Sequence, residues 1–357
     1  MLFSKIDNIE IAGLSVAVPT RKVNLETYND VFGEEVVTSF SEMTGVKSVH
    51  RAIQSQTASD LAHEAAKNLL EKSGIDKAEI GLMIFVTQKP DYRVPSTAFL
   101  LHKRLELDRE CACFDLNLAC SGFIFGLQSA MSALKHSESK YALILTGDTS
   151  VRTLSPLDRS MIMLFGDSGT ATLIQKTNHE NTANFAFRTE GAKYQAIITP
   201  SGAYRNIGLP LERTAWGDDI IRSDYDTHMK GMDVFGFSIT DVPKLMKELM
   251  DHLGTTSADY DYFALHQANM YILKQITRKI KIPAEKLPIS LDRFGNNSSN
   301  SVPLVLADHF GDHVGGSIRV MMSGFGAGLS WGCCDTTIDL KNVYPIIYTD
   351  EFYQPNN

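Results

Sequence analysis

Three side chains able to do acyl chemistry stand far apart in this chain, each at the end of an element or in a loop. Cys120 lies in the stretch Cys113-Phe114-Asp115-Leu116-Asn117-Leu118-Ala119-Cys120-Ser121-Gly122-Phe123. A strand-like run leads into it, and a helix-like run, Gly122 to Ala130, leads away. A cysteine at such a junction faces the unpaired N–H groups and positive end of a helix. That setting lowers a thiol pKa and favours the nucleophilic thiolate. The alternative for an isolated cysteine is a small buried core residue. His266 follows the apolar run Phe263-Ala264-Leu265, and Asn296 lies in the Gly/Asn/Ser loop from Phe294 to Pro303. Element ends and loops are where catalytic residues concentrate. A Cys with a distant His and Asn is a candidate nucleophile set.

The elements that must position these residues can be read from the apolar pattern. Strands are predicted at Ile9–Val18, Ile80–Thr87, Cys111–Asn117, Tyr141–Thr146 and Gly169–Gln175. Helices are predicted at Pro95–Leu105, Gly122–Leu134 and from Thr57-Ala58-Ser59-Asp60 to about Lys72, the last stopped by Gly74. The second half restarts the pattern. It has strands at Asn184–Arg188, Tyr260–Leu265, Ile318–Met322 and Leu329–Ile338, and helices at Asp233–Leu253, Asn269–Ile280 and Val302–His309. This alternation implies a mixed, mostly parallel α/β sheet. Between Ile197 and Lys230 it breaks down: Pro200, Gly202, Gly208, Pro210 and Gly217 punctuate a long stretch holding Trp216 and Tyr225. Such a stretch is either a functional loop or a surface excursion.

Composition narrows the classes. The 357 residues are 43% hydrophobic and 21% charged, ordinary globular values that allow a large core. A formal charge of −8 argues against a general nucleic-acid binder. No apolar stretch is long enough to span a membrane. The N-terminal residues Met1 to Glu10 lack a secretory apolar region, so a cytoplasmic protein is expected. The five cysteines, Cys111, Cys113, Cys120, Cys333 and Cys334, suit neither a disulfide framework nor a zinc site. Asn296-Asn297-Ser298 matches a glycosylation acceptor, read here as a chance match.

The chain resembles the ketoacyl-acyl-carrier-protein synthase III family of thiolase-like condensing enzymes. The resemblance is carried by Ala119-Cys120-Ser121-Gly122-Phe123, Phe165-Gly166-Asp167-Ser168-Gly169, His266-Gln267-Ala268-Asn269, Gly295-Asn296-Asn297-Ser298 and Gly324-Phe325-Gly326-Ala327-Gly328-Leu329-Ser330-Trp331-Gly332, in family order. It implies the thiolase fold: two related halves, 1–178 and 179–357, in a five-layered αβαβα domain with the site at their junction. It makes Cys120 the acyl acceptor, with the Cys120 and Ala327 N–H groups as oxyanion donors. It makes His266 and Asn296 the donors to malonyl-carrier protein, whose decarboxylation and condensation give a 3-oxoacyl thioester. No permanently bound cofactor or metal is implied; coenzyme A and acyl-carrier-protein thioesters are the substrates, and a homodimer the assembly.

Substrate contacts transfer less completely. Arg159 matches a coenzyme A contact, and Phe165, Gly231, Phe235 and Asn269 match further substrate positions. The family's adenine-stacking Trp has no counterpart between Glu34 and Val46; Met43 precedes Thr44-Gly45. Asn297 stands where Thr is common. Val94 stands where an aromatic residue usually enters the partner subunit's acyl pocket, so a longer or branched chain could fit; neutral drift is the alternative. Lys274, Arg278 and Lys279 match basic positions that dock the carrier protein, though such a run is also an ordinary solvated face. Acyl transfer or thioester hydrolysis without carbon–carbon bond formation is a competing reading. A non-catalytic partner subunit would be expected to have lost the Cys, His or Asn.

Overall fold

The computed structural model describes residues 2–208, 211–216 and 220–355. The first half carries strands β1 (Leu2–Asp7), β2 (Ile9–Val18), β3 (Lys22–Asn24), β4 (Ser48–His50), β5 (Ile80–Val86), β6 (Ala112–Leu116), β7 (Tyr141–Asp148) and β8 (Ser168–Lys176). Its helices are α1 (Asn29–Phe32), α2 (Glu34–Thr44), α3 (Ala58–Ser73), α4 (Thr97–Arg104) and α5 (Gly122–Lys135). The second half carries β9 (Thr182–Thr189), the two-residue strands β10 (Ile197–Ile198), β11 (Thr214–Ala215), β12 (Ile221–Arg222) and β13 (His228–Met229), then β14 (Tyr262–Leu265), β15 (Ser317–Gly326), β16 (Ser330–Asp339) and β17 (Ile347–Tyr348). Its helices are α6 (Gly231–Leu253), α7 (Met270–Ile280), α8 (Leu291–Phe294) and α9 (Ser301–Phe310).

Strands β5 and β7 are apolar along almost their whole length because helices cover both faces of their sheet. Helix α3 starts where its sequence says it should. The Thr57 side chain and the Asp60 carboxylate close a capping box, and Gly74 ends the helix.

The first sheet has the order β17-β2-β8-β7-β5-β6 and the second β1-β9-β16-β15-β14. Within them, β5-β7-β8-β2 and β14-β15-β16-β9 repeat one strand order with the same sequence of parallel and antiparallel pairings. The two halves are therefore related by topology. Helices α5 and α9 lie between the sheets in a shared core. Helices α3 and α4 cover the outer face of the first sheet, and α6 and α7 that of the second. This is the five-layered αβαβα arrangement.

Two expectations need correction. The sheets are mixed but not mostly parallel: β2–β8, β7–β8, β1–β9, β9–β16 and β15–β16 pair antiparallel. Besides β17 beside β2, parallel pairing among the described residues is confined to β5 with β6 and β7 and to β14 with β15; β8 and β16 turn back antiparallel. The division at 178/179 is also crossed by both chain ends. Strand β1 joins the second sheet and β17 the first. Within the 197–230 stretch, β10 pairs with β13 and β11 with β12, both antiparallel. Pro210 and Gly217 lie outside the described residues. No helix among the described residues is long and apolar enough to cross a membrane.

Candidate active site

Cys120 sits four residues beyond β6 and two before α5, half-buried. The end of β15 fixes it from behind. A Cβ on Gly326 would lie 2.7 Å from the Cys120 Cβ, so only glycine lets the strand approach this closely. The Ser121 and Ser330 hydroxyls, 2.7 Å apart, tie the same turn to β16. Ala327, at the tip of the β15–β16 hairpin, lines one cavity with Cys120.

His266 ends β14. Its N–H donates to the Ser323 carbonyl at 2.8 Å, and its ring meets Phe325 edge-on at 5.1 Å. Asn296 follows α8 and Gly295, whose φ of 67° is a left-handed turn that a side chain would strain. The Asn296 N–H donates to Leu164 O at 2.9 Å, and its carbonyl accepts from Gly166 N–H at 3.0 Å. The apparent glycosylation acceptor is thus a buried loop residue, 5% exposed. Asn297 is an anchor: its Nδ2 donates to Phe294 O at 2.8 Å and Gly295 O at 3.2 Å.

Ser298 links the three. Its hydroxyl lies 3.8 Å from the Cys120 Sγ, its N–H donates to Asn296 Oδ1 at 2.9 Å, and its backbone hydrogen-bonds the His266 ring. With φ at 50° it holds a conformation rare outside glycine. Gripping Oδ1 leaves the Asn296 Nδ2 as the free end, with only a long 3.5 Å contact to Ala268 O.

Electrostatics correct one expectation. Burial pushes the Cys120 thiol up to about 12; the neighbouring Asp148 carboxylate adds to this and the Ser298 hydroxyl opposes it. That direction favours the thiol over the thiolate. Burial pulls His266 down to about 3, with the Ser298 backbone opposing, so its imidazole is neutral. His266 Nδ1 is buried and has no hydrogen-bond partner among the described residues.

The cavity beside Cys120 has a volume of about 60 Å³. Phe165 and Ser298 line it, as do three residues of the 197–230 stretch: Ile197, Thr227 and Met229. Two of its residues, Lys89 and Asp148, were not singled out from the sequence. Asp148 lies two residues past the predicted strand end at Thr146, at the end of β7, and Lys89 follows β5. A second cavity, about 670 Å³, is lined by Met43, Thr44, Arg159 and Asn269 and adjoins the first at Met229. Asn269 also caps α7, its Oδ1 accepting from Ile272 N–H at 2.8 Å. Gly231 and Phe235 line neither cavity; Phe235 stacks on Tyr271 at 5.4 Å. Val94 is on the surface, 78% exposed. Lys274, Arg278 and Lys279 are exposed on α7, whose other face buries Ile272, Leu273, Ile276 and Ile280.

Two halves of one strand order, stacked through a shared helical layer with reactive residues at their junction, place this chain among the thiolase-like condensing enzymes. Solved structures of that class superpose closely. The 3-oxoacyl-(acyl-carrier protein) synthase from Burkholderia xenovorans LB400 matches with a TM-score of 0.91 at 31% identity, covering 98% of this chain and 99% of that one. The 3-oxoacyl-(acyl carrier protein) synthase III from Pseudomonas aeruginosa PAO1 matches with a TM-score of 0.79 at 26% identity, covering 96% and 100%. Within the class, the chain belongs to the 3-oxoacyl-[acyl-carrier-protein] synthase III family. That family's profile matches residues 114–191, and its C-terminal profile residues 250–338. The beta-ketoacyl-[acyl-carrier-protein] synthase III of Streptococcus suis is 33% identical over 310 residues, 85% of this chain and 92% of the relative.

Proposed function

We propose that this enzyme loads an acyl group on Cys120 and condenses it with malonyl-carrier protein by loss of carbon dioxide. The observation that carries the reading is Ser298, one residue in contact with Cys120, Asn296 and the His266 ring. In the first step the Cys120 sulfur attacks the acyl thioester carbon. The Cys120 and Ala327 N–H groups receive the oxyanion. The thiol proton passes to the sulfur of the departing coenzyme A or carrier-protein thiolate as its carbon–sulfur bond breaks.

In the second step the malonyl thioester loses its carboxyl group as carbon dioxide. The electron pair left behind forms an enolate, whose oxygen accepts hydrogen bonds from His266 and the Asn296 Nδ2. These donors act on charge that develops only in the transition state. The enolate carbon then attacks the acyl-Cys120 carbonyl, the carbon–sulfur bond breaks, and a 3-oxoacyl thioester leaves on the carrier. A neutral imidazole suits this step, since it donates without surrendering its proton.

The Met43–Arg159 cavity is the entry for the donor thioester, and the basic face of α7 docks the acidic carrier protein. Strand β6, at the edge of its sheet with Phe114 45% exposed, pairs with a second copy in a homodimer. The test is incubation with an acyl-coenzyme A and malonyl-carrier protein labelled in the free carboxyl. One labelled carbon dioxide per 3-oxoacyl product is expected. Acyl transfer with no carbon dioxide released would put transfer or hydrolysis in its place.

A further inference from the structure

The cavity beside Cys120 is not lined as a plain hydrocarbon slot. Leu154, Met161 and Phe165 form apolar walls, but Lys89 and Asp148 stand in the lining with Cys120 itself. Asp148 is 1% exposed, and its carboxylate is engaged by the Ser298 and Ser299 side chains, with Ser299 Oγ at 3.1 Å. Lys89 is tethered by its backbone, the N–H donating to Thr87 Oγ1 at 2.9 Å. Its ammonium is in no ion pair and donates no hydrogen bond among the described residues; Asp148 acts on it only at Coulombic range, and burial holds its pKa below the ordinary lysine value.

We infer that Lys89 sets the acyl specificity of this site: the group loaded on Cys120 is a short one bearing an oxygen acceptor that meets the Lys89 ammonium. An ammonium offers three donors and no acceptor. Covering it with an alkyl chain removes its water and returns nothing, the costly case for a buried charge. A carboxylate, keto or hydroxyl oxygen a few bonds from the thioester carbon fills the same space and accepts the hydrogen bond. Size points the same way. The cavity, about 60 Å³, is small beside the cavity of about 670 Å³ that it adjoins at Met229.

The inference rests on acylation of Cys120 as proposed above, and the test separates the two. Initial rates of adduct formation are read by intact mass with butyryl-, 3-hydroxybutyryl-, acetoacetyl- and succinyl-coenzyme A, on wild type and Lys89→Met. At least one oxygenated thioester is expected to load about 10- to 100-fold faster than butyryl on wild type, the range for a hydrogen bond to a charged group. Lys89→Met is expected to bring that ratio to about one. Which arm leads, the carboxylate or the hydroxyl and keto groups, identifies the oxygen. Butyryl loading as fast as every oxygenated thioester on wild type overturns the inference, whatever the variant does. So does a ratio in Lys89→Met within about twofold of wild type. If butyryl loads without preference and labelled carbon dioxide is released, only the specificity fails; if no thioester loads Cys120, both readings fail.

Discussion

At the residue scale, the Cys120 thiol is held in its protonated form by burial. A group pushed up to about 12 is almost wholly protonated at neutral pH, and its reactive fraction grows tenfold per pH unit until the pKa is reached. Alkylation of Cys120 by iodoacetamide, followed by peptide mapping, is therefore expected to rise about tenfold per unit between pH 7 and 10. Cys120→Ser should abolish that adduct and leave those at the other cysteines unchanged. A rate that levels off by pH 8 would mean that the helix start prevails over burial. Cys120, His266 and Asn296 stand out in the sequence because their types form a nucleophile set and each lies at the end of an element or in a loop. Ser298 and Asp148 do not. Ser298 acts through a left-handed backbone and contacts to residues 178 and 32 positions away, and Asp148 looks like an ordinary strand end until burial is known.

At the element scale, sequence reading did well wherever period and punctuation agreed. Strand β2 falls on its predicted bounds, and α3 begins at its capping box. It missed α2 and the β3–β4 pair, since neither carries a long apolar run, and strand direction, which depends on how chains return rather than on local pattern. Helix α7 shows what an element adds. Its apolar face is seated on the second sheet, so Lys274, Arg278 and Lys279 project together into solvent next to the Asn269 turn. Reversing all three to Glu is expected to raise the KM for malonyl-carrier protein about tenfold or more at low salt, with loading of Cys120 from acyl-coenzyme A unchanged. The difference should shrink at high ionic strength. An unaltered KM would make this face plain solvated surface.

At the scale of the whole molecule, each half lends the other its ends. Strand β1 closes the second sheet and β17 the first, so neither half is a free-standing unit in this topology. The site needs both, with Cys120 from one and His266 and Asn296 from the other. The β6 edge and the exposed Val94 lie on the first half and face outward. Light scattering at micromolar concentration is expected to give about twice the 39.5 kDa chain mass. An active monomer would exclude pairing through β6. The central claim is the division of labour across the junction, and Asn296→Ala tests it most directly. Release of labelled carbon dioxide from malonyl-carrier protein is scored beside acyl-enzyme formation in the same preparation. Removing one donor from a developing oxyanion commonly costs about 10²–10³ in rate. Decarboxylation is expected to fall by that factor while Cys120 is acylated at the wild-type rate. Decarboxylation at the wild-type rate in Asn296→Ala would contradict the account.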